Sequence, residues 1–278
     1  MGNRLRGSFV QRLVRWFVFG LAIVATSCVR LTRDDVFTFS SPSNSWPPPS
    51  LHEAEEVELP TAVGRARWIK ATNTRGTLVF FNGNGDSAGH VFERLWPRAR
   101  ALALDLVLFD YRMEGSAAPA VREVRASARE VVERLSRDSP GRPLFVAAHS
   151  LGCWFALDAA SSPEVTGVVL LAPGTTATDV AQSVLGPPLT WVVTLRSDDD
   201  VAFLDGERLA RSATRPALII GSRADAVMPP AFQQRLAAAL GPVPHSVEVL
   251  DDTRHGGFLK SERVWIWVKA FFDSLARQ

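Results

Sequence analysis

Pro143-Leu-Phe-Val-Ala-Ala-His-Ser-Leu-Gly-Cys-Trp-Phe-Ala-Leu-Asp158 decides how the rest of the chain is read. Leu144 to Ala148 is an apolar run of strand length without polar alternation, the pattern of a strand buried on both faces of a parallel sheet. A helical run follows at once. Between them Ala148-His149-Ser150-Leu151-Gly152 fits small-x-Ser-x-Gly, with alanine where that pattern usually has its first glycine. Such a turn holds its serine in a strained conformation, and small residues flank it because other backbone passes close by. The strain lifts Ser150 Oγ above the sheet edge, while the new helix points its free N–H groups at any charge that develops there. A serine at a helix start is also an ordinary N-cap, so the pentapeptide alone leaves two readings open.

Two later stretches narrow the choice. Pro216-Ala-Leu-Ile-Ile-Gly221 is another buried-strand run, and Ser222-Arg-Ala-Asp225-Ala-Val-Met-Pro-Pro230 follows it with an acid and a turn. Ser246 to Leu250 reads as a strand, and Asp251-Asp-Thr-Arg-His255-Gly-Gly-Phe258 places a histidine just beyond it. A nucleophilic serine needs a base, and the base needs an acid to orient it. Ser150, Asp225 and His255 each follow a strand, in that order. Asp251 and Asp252 are the alternative acids, and they lie close to the histidine in sequence.

At 278 residues the chain has room for one large α/β domain or two small ones. Its 46% hydrophobic and 22% charged residues are an ordinary globular composition, and a net charge of +2 argues against a polyanion such as nucleic acid as its partner. No Cys/His cluster has metal-ligand spacing, so neither a metal nor another cofactor is expected. Cys28 and Cys153 do not read as a pair. Cys153 falls in the first turn after the serine, as a buried small hydrophobe.

The amino-terminal segment reads as an address. Met1 to Arg15 is arginine-rich without an acid, and Trp16 to Ala25 has the length of a signal-peptide apolar core. Ala25-Thr-Ser-Cys28 resembles the bacterial lipobox, with alanine where leucine is usual. That resemblance implies acylation of Cys28 and a protein tethered in the cell envelope, facing outside the cytoplasm. An uncleaved signal anchor is the alternative, although the run is short of the about 20 residues of a full span. Val29 supplies no acidic retention signal, which favours an outer-membrane destination in a host with two membranes. Ser40 to Ser50 is rich in proline and serine and reads as a tether, and Phe37-Thr-Phe39 as an early edge strand. The expected division is 1–28 signal segment, 29–54 tether, and 55–278 folded domain.

Within that domain Glu56 to Leu59 and Arg65 to Ala71 read as antiparallel opening strands, and the alternation of Arg65-Ala-Arg-Trp-Ile-Lys70 predicts one wet face. Thr77-Leu-Val-Phe-Phe81 runs into the glycine-rich Asn82-Gly-Asn-Gly-Asp-Ser-Ala-Gly89, a loop that frees backbone N–H groups or forms a plain turn. A helix to about Ala103, a strand at Leu106 to Phe109, an amphipathic helix from Val121 to Arg137 and a strand at Gly167 to Leu171 repeat a βαβ rhythm. That rhythm predicts an α/β fold with a doubly wound, mostly parallel sheet. Residues 172–215 interrupt it with helical pieces near Thr178 to Val184 and Leu204 to Ala213, read as a small helical lid. Asp198-Asp-Asp200 within it reads as solvated surface. Leu185, Leu189, Trp191, Val192 and Leu195 line an acyl pocket or pack the lid down. A last helix, Ser261 to Ala276, closes the back of the sheet with Trp265, Trp267, Phe271 and Phe272.

With these motifs in place, residues 55–276 resemble the α/β-hydrolase superfamily, and within it the serine-aminopeptidase-like group of small esterases and lysophospholipase-like proteins. The group's Phe-His-Gly-Asn-Gly after the third strand stands here as Phe81-Asn82-Gly83-Asn84-Gly85, so Asn82 takes the loop histidine's place. Its Asp-Tyr-Arg-Gly-x-Gly-x-Ser is shortened to Asp110-Tyr111-Arg112-Met113-Glu114-Gly115-Ser116, and its acid motif has an extra residue before Asp225. The resemblance implies a serine hydrolase acting on an ester, thioester or lipid-like acyl bond. Ser150 would be the nucleophile, His255 the base, Asp225 the orienting acid, and the N–H groups of Leu151 and Asn84 the oxyanion donors. A peptidase or acyltransferase on the same triad, and a silent scaffold lipoprotein, are the other readings. His149 reads as a packing residue, and the sequence carries no sign of oligomeric state.

Overall fold

The computed structural model describes residues 27–37, 54–111, 117–186, 190 and 193–277. In chain order the strands and helices are β1 (Ser27–Leu31), α1 (Arg33–Val36), β2 (Glu55–Leu59), β3 (Arg65–Lys70), β4 (Gly76–Phe81), α2 (Ala88–Ala101), β5 (Leu104–Asp110), α3 (Val121–Asp138), β6 (Leu144–His149), α4 (Gly152–Ala159), β7 (Gly167–Leu171), α5 (Ala177–Leu185), β8 (Val193–Ser197), α6 (Gly206–Ser212), β9 (Ala217–Ser222), α7 (Pro230–Leu240), β10 (His245–Leu250) and α8 (Glu262–Leu275). Short 3-10 turns stand at Val201–Phe203 and His255–Lys260.

The wholly apolar runs become the middle of an eight-stranded sheet, ordered β2-β3-β5-β4-β6-β7-β9-β10. Every residue of β4, β6, β7 and β9 is buried, because helices cover both faces. From β5 to β10 all pairings are parallel, while β3 runs antiparallel to both β2 and β5. The chain leaves β4 toward β5 on one side and returns to β6 on the other. A crevice therefore opens at the carboxyl ends of β4 and β6, where α/β sheets hold their ligands. On the far side Phe145 of β6 stacks on Phe272 of α8 with centroids 4.1 Å apart, so the last helix closes the sheet as its aromatic pattern predicts.

Three expectations are corrected. The alternation of β3 does not give a wet face: Arg67 is buried, its charge met by Glu56 of β2 at 2.6 Å while its stem packs on the sheet. The acidic run is not plain solvated surface. Asp198 Oδ1 accepts the N–H of Val201, and Asp200 Oδ2 accepts that of Val121 at 2.9 Å, capping the start of α3. Phe37 does not begin an edge strand of the main sheet. It follows α1 and is buried, and the early strand is instead β1, which pairs in parallel with β8 of the insertion.

The insertion contains α5, α6 and also β8, a strand the helical-lid reading did not foresee. Leu195 of β8 is buried and Leu185 packs against the core, while Leu189, Trp191 and Val192 lie outside the described residues, as do 1–26 and 38–53. Among the described residues no helix is long and apolar enough to cross a membrane.

Candidate active site

Ser150 leaves β6 with φ +53°, the left-handed region that a side chain normally avoids. Two features hold it there. Its N–H donates to the carbonyl of Leu171 on the neighbouring strand at 2.9 Å. At Gly152 a β carbon would stand 2.1 Å from the carbonyl oxygen of Phe81 and 2.8 Å from that of Asn82, so only glycine lets the new helix pass so close to the end of β4. Ala148, at the first small position, is fully buried between β4 and β7, where one methyl group fits.

His255, in the turn after β10, presents Nε2 to Ser150 Oγ at 2.8 Å. Its Nδ1 meets Asp225 Oδ2, also at 2.8 Å. Asp225, in the turn after β9, is 2% exposed. Its other oxygen accepts the N–H groups of Val227 and Met228 at 2.9 Å each, which limits rotation of the carboxylate. The structure thus brings together the three residues singled out by order along the chain. Asp251 pairs with the exposed Arg223, and Asp252 is exposed.

Leu151 is the cap of α4, buried, and its N–H donates to no acceptor among the described residues. Asn84 sits in the turn closed by the N–H of Asp86 on the carbonyl of Gly83, with Gly85 following at φ +79°. The close approach of Gly152 to Phe81 and Asn82 lays this loop beside the serine turn. Loop anchorage falls to Asn82, whose amide donates to the carbonyl of Phe109, and to Tyr111, whose hydroxyl donates to the carbonyl of Asn82 at 2.7 Å. The sequence pointed to Asn82 but not to Tyr111, which lies in the loop after β5. Burial pushes the Tyr111 hydroxyl well above its ordinary range, so it stays a donor.

The remaining histidines divide plainly. His90 bonds Asp86 and Arg94 along α2, His245 is exposed on β10, and His52 lies outside the described residues. Buried His149 contacts His255, a relation that packing alone did not suggest. Cys153 is buried, as its place in the first turn after the serine suggested, and loss of solvation pushes its thiol far up. Among the described residues no group of three or more His, Cys, Asp or Glu side chains could hold a metal ion.

A family model described as serine hydrolase matches residues 128–255, a span that contains all three side chains. No curated protein matches the sequence. Among solved structures the chain is similar to an esterase of Pyrococcus furiosus, with a TM-score of 0.67 and 17% identity over 85% of this chain and 99% of that one. It is also similar to a sugar hydrolase from Lactococcus lactis, at 0.65 and 16% over 81% and 98%. A propionate-bound esterase from Thermogutta terrifontis matches at 0.61 and 16% over 83% and 97%.

Proposed function

We propose that the chain is a serine hydrolase of the α/β-hydrolase superfamily that cleaves ester, thioester or lipid-like acyl bonds through Ser150, His255 and Asp225, a reading supported by the family match and by the esterase fold of its structural neighbours. The observation that carries this reading is the unbroken series from Asp225 through His255 to Ser150, with both contacts at 2.8 Å. His255 Nε2 takes the proton of Ser150 Oγ as the oxygen attacks the acyl carbonyl. Asp225 keeps the other proton on Nδ1 and stabilises the imidazolium. Negative charge then gathers on the former carbonyl oxygen, toward which the N–H groups of Leu151 and Asn84 are assigned, at about 3 kcal/mol per donor. Collapse of that intermediate returns the proton from His255 to the leaving group. Water, deprotonated by the same histidine, releases the acyl chain and restores the serine. The esterase names among the structural neighbours favour an ester over an amide as substrate.

The test uses the full chain in detergent, a fluorophosphonate probe and p-nitrophenyl butyrate. Wild type should label and turn over. Ser150→Ala should lose labelling and drop in kcat by a factor on the order of 10⁴ or more. Labelling that survives the substitution removes Ser150 as nucleophile, and an unreactive wild type favours the silent scaffold.

The envelope address is a second part of the proposal. Cys28 is exposed on β1 beside Thr194 of β8, so a lipid there would tether the protein next to its insertion. Cells expressing wild type should incorporate labelled palmitate into the protein, and Cys28→Ser should not. Membrane attachment without any lipid would point to the signal anchor instead.

A further inference from the structure

His149 ends β6, one residue before Ser150, and is 7% exposed. Its Nε2 lies 2.8 Å from the main-chain carbonyl of His255. A carbonyl only accepts, so Nε2 carries the ring proton and Nδ1 of the neutral ring carries a lone pair. The two imidazoles are 5.0 Å apart between centroids, and Phe258, from the same turn as His255, stands 5.9 Å away. Nδ1 is buried without a hydrogen-bond partner among the described residues and faces Gly83, where a β carbon would come within 2.8 Å of it. One ring therefore touches three parts of the site: the serine turn by covalent continuity, the His255 turn by a hydrogen bond, and the glycine-rich loop by contact.

We propose that His149 is a positioning residue for the hydrolytic reaction, holding the His255 carbonyl so that the 255 imidazole stays between Ser150 and Asp225. This proposal depends on the triad reading above. His255 sits in a turn beyond β10, the edge strand of the sheet, where backbone is held from one side only. A hydrogen bond to its own carbonyl fixes the backbone that carries the imidazole, and an angstrom of drift at a reacting group costs up to about 10²-fold in rate. The ring rests neutral, because a proton added to Nδ1 would be buried with no acceptor among the described residues. Burial first, and His255 second, lower its pKa from 6.5 to about 4. The charged or titratable groups around it are His255 and Asp225 from the two later loops, Arg94 from α2, and Asp86 across Gly83.

The experiment compares His149→Gln, whose amide N–H has nearly the reach of Nε2, with His149→Leu, which keeps much of the volume and no donor. In the full chain, kcat and KM for p-nitrophenyl butyrate are measured per fluorophosphonate-titrated site, alongside melting temperature. His149→Leu should lower kcat by about 10- to 100-fold with KM unchanged within about two-fold, and His149→Gln should recover to within about three-fold of wild type. Should His149→Leu fail to fold, His149→Asn replaces it, since its shorter amide cannot reach the carbonyl and the same loss is expected. Wild-type kcat in the donorless variant, or a glutamine variant as slow as it at equal melting temperature, overturns the proposal. Ser150→Ala and His255→Ala separate the two claims. Hydrolysis surviving in them sinks the triad reading, whereas its loss in them with every His149 variant at wild-type speed sinks the positioning role alone.

Discussion

His149 also ties the site to acid stability, and the sign follows from its shifted pKa. Folding favours the neutral ring, with a pKa of about 4 against 6.5 for the free side chain. The unfolded chain therefore takes the proton first as pH falls. The contribution of His149 is complete above about pH 6.5, declines between there and pH 4, and is gone below, a span worth about 3 kcal/mol. Urea unfolding at pH 7, 5.5 and 4.5 should show wild type losing stability faster than His149→Gln over that window. Parallel curves for the two proteins would exclude the buried neutral ring. At this scale the sequence was readable in the order of residue types along the chain: a serine, an acid and a histidine, each just beyond a strand. The role of His149 was not, because it is set by a carbonyl 106 positions away, and a histidine inside an apolar run reads as packing. Tyr111 was hidden for the same reason, since its hydroxyl serves main chain 29 positions off.

At the scale of elements, β1 and α1 change the meaning of the segment before the main sheet. The tether reading took residues 29–54 as one piece, but Leu31 and Phe37 are buried and β1 pairs residue by residue with β8 from Ser27 to Leu31. Phe37 lies 6.4 Å from the ring of Phe155 in α4 and 6.0 Å from Tyr111, whose hydroxyl holds the glycine-rich loop. A side chain outside the expected domain thus buttresses the helix that follows Ser150. Nothing in the pattern of Ser27-Cys-Val-Arg-Leu31 marks a strand, because its partner is an insertion far along the chain and the pairing is purely tertiary. Phe37→Ala should cost about 3 kcal/mol of stability, as for a buried aromatic truncated to a cavity. It should also quicken proteolytic cleavage within 172–215, read by limited trypsin digestion of the full chain. Unchanged melting and cleavage would mean that β1 and α1 lie loosely on the surface.

For the whole molecule, the order of strands decides which part of the site is most fragile. Ser150 and the glycine-rich loop hang from β6 and β4, the middle of the sheet, where every residue is buried. Asp225 follows β9, one strand from the border, and His255 follows β10 at the border itself. The first three residues of β10 are exposed, and Val247 leaves 37% of its surface to solvent. Edge strands open at lower free energy than central ones, so His255 should be lost from the site before the strand that leads to Ser150 unfolds. Two measurements check this. Amides of β10 should exchange with deuterium faster than those of β4, β6 and β7. In a urea titration, hydrolysis of p-nitrophenyl butyrate should fail at a lower concentration than far-ultraviolet ellipticity, while tryptophan fluorescence, to which Trp154 of α4 contributes through a buried ring that donates to the carbonyl of Thr175, should report the later transition. Coincident midpoints for all three signals would show instead that the hydrogen bonds of His255 to Asp225 and from His149 couple the border to the centre, making the sheet one cooperative unit.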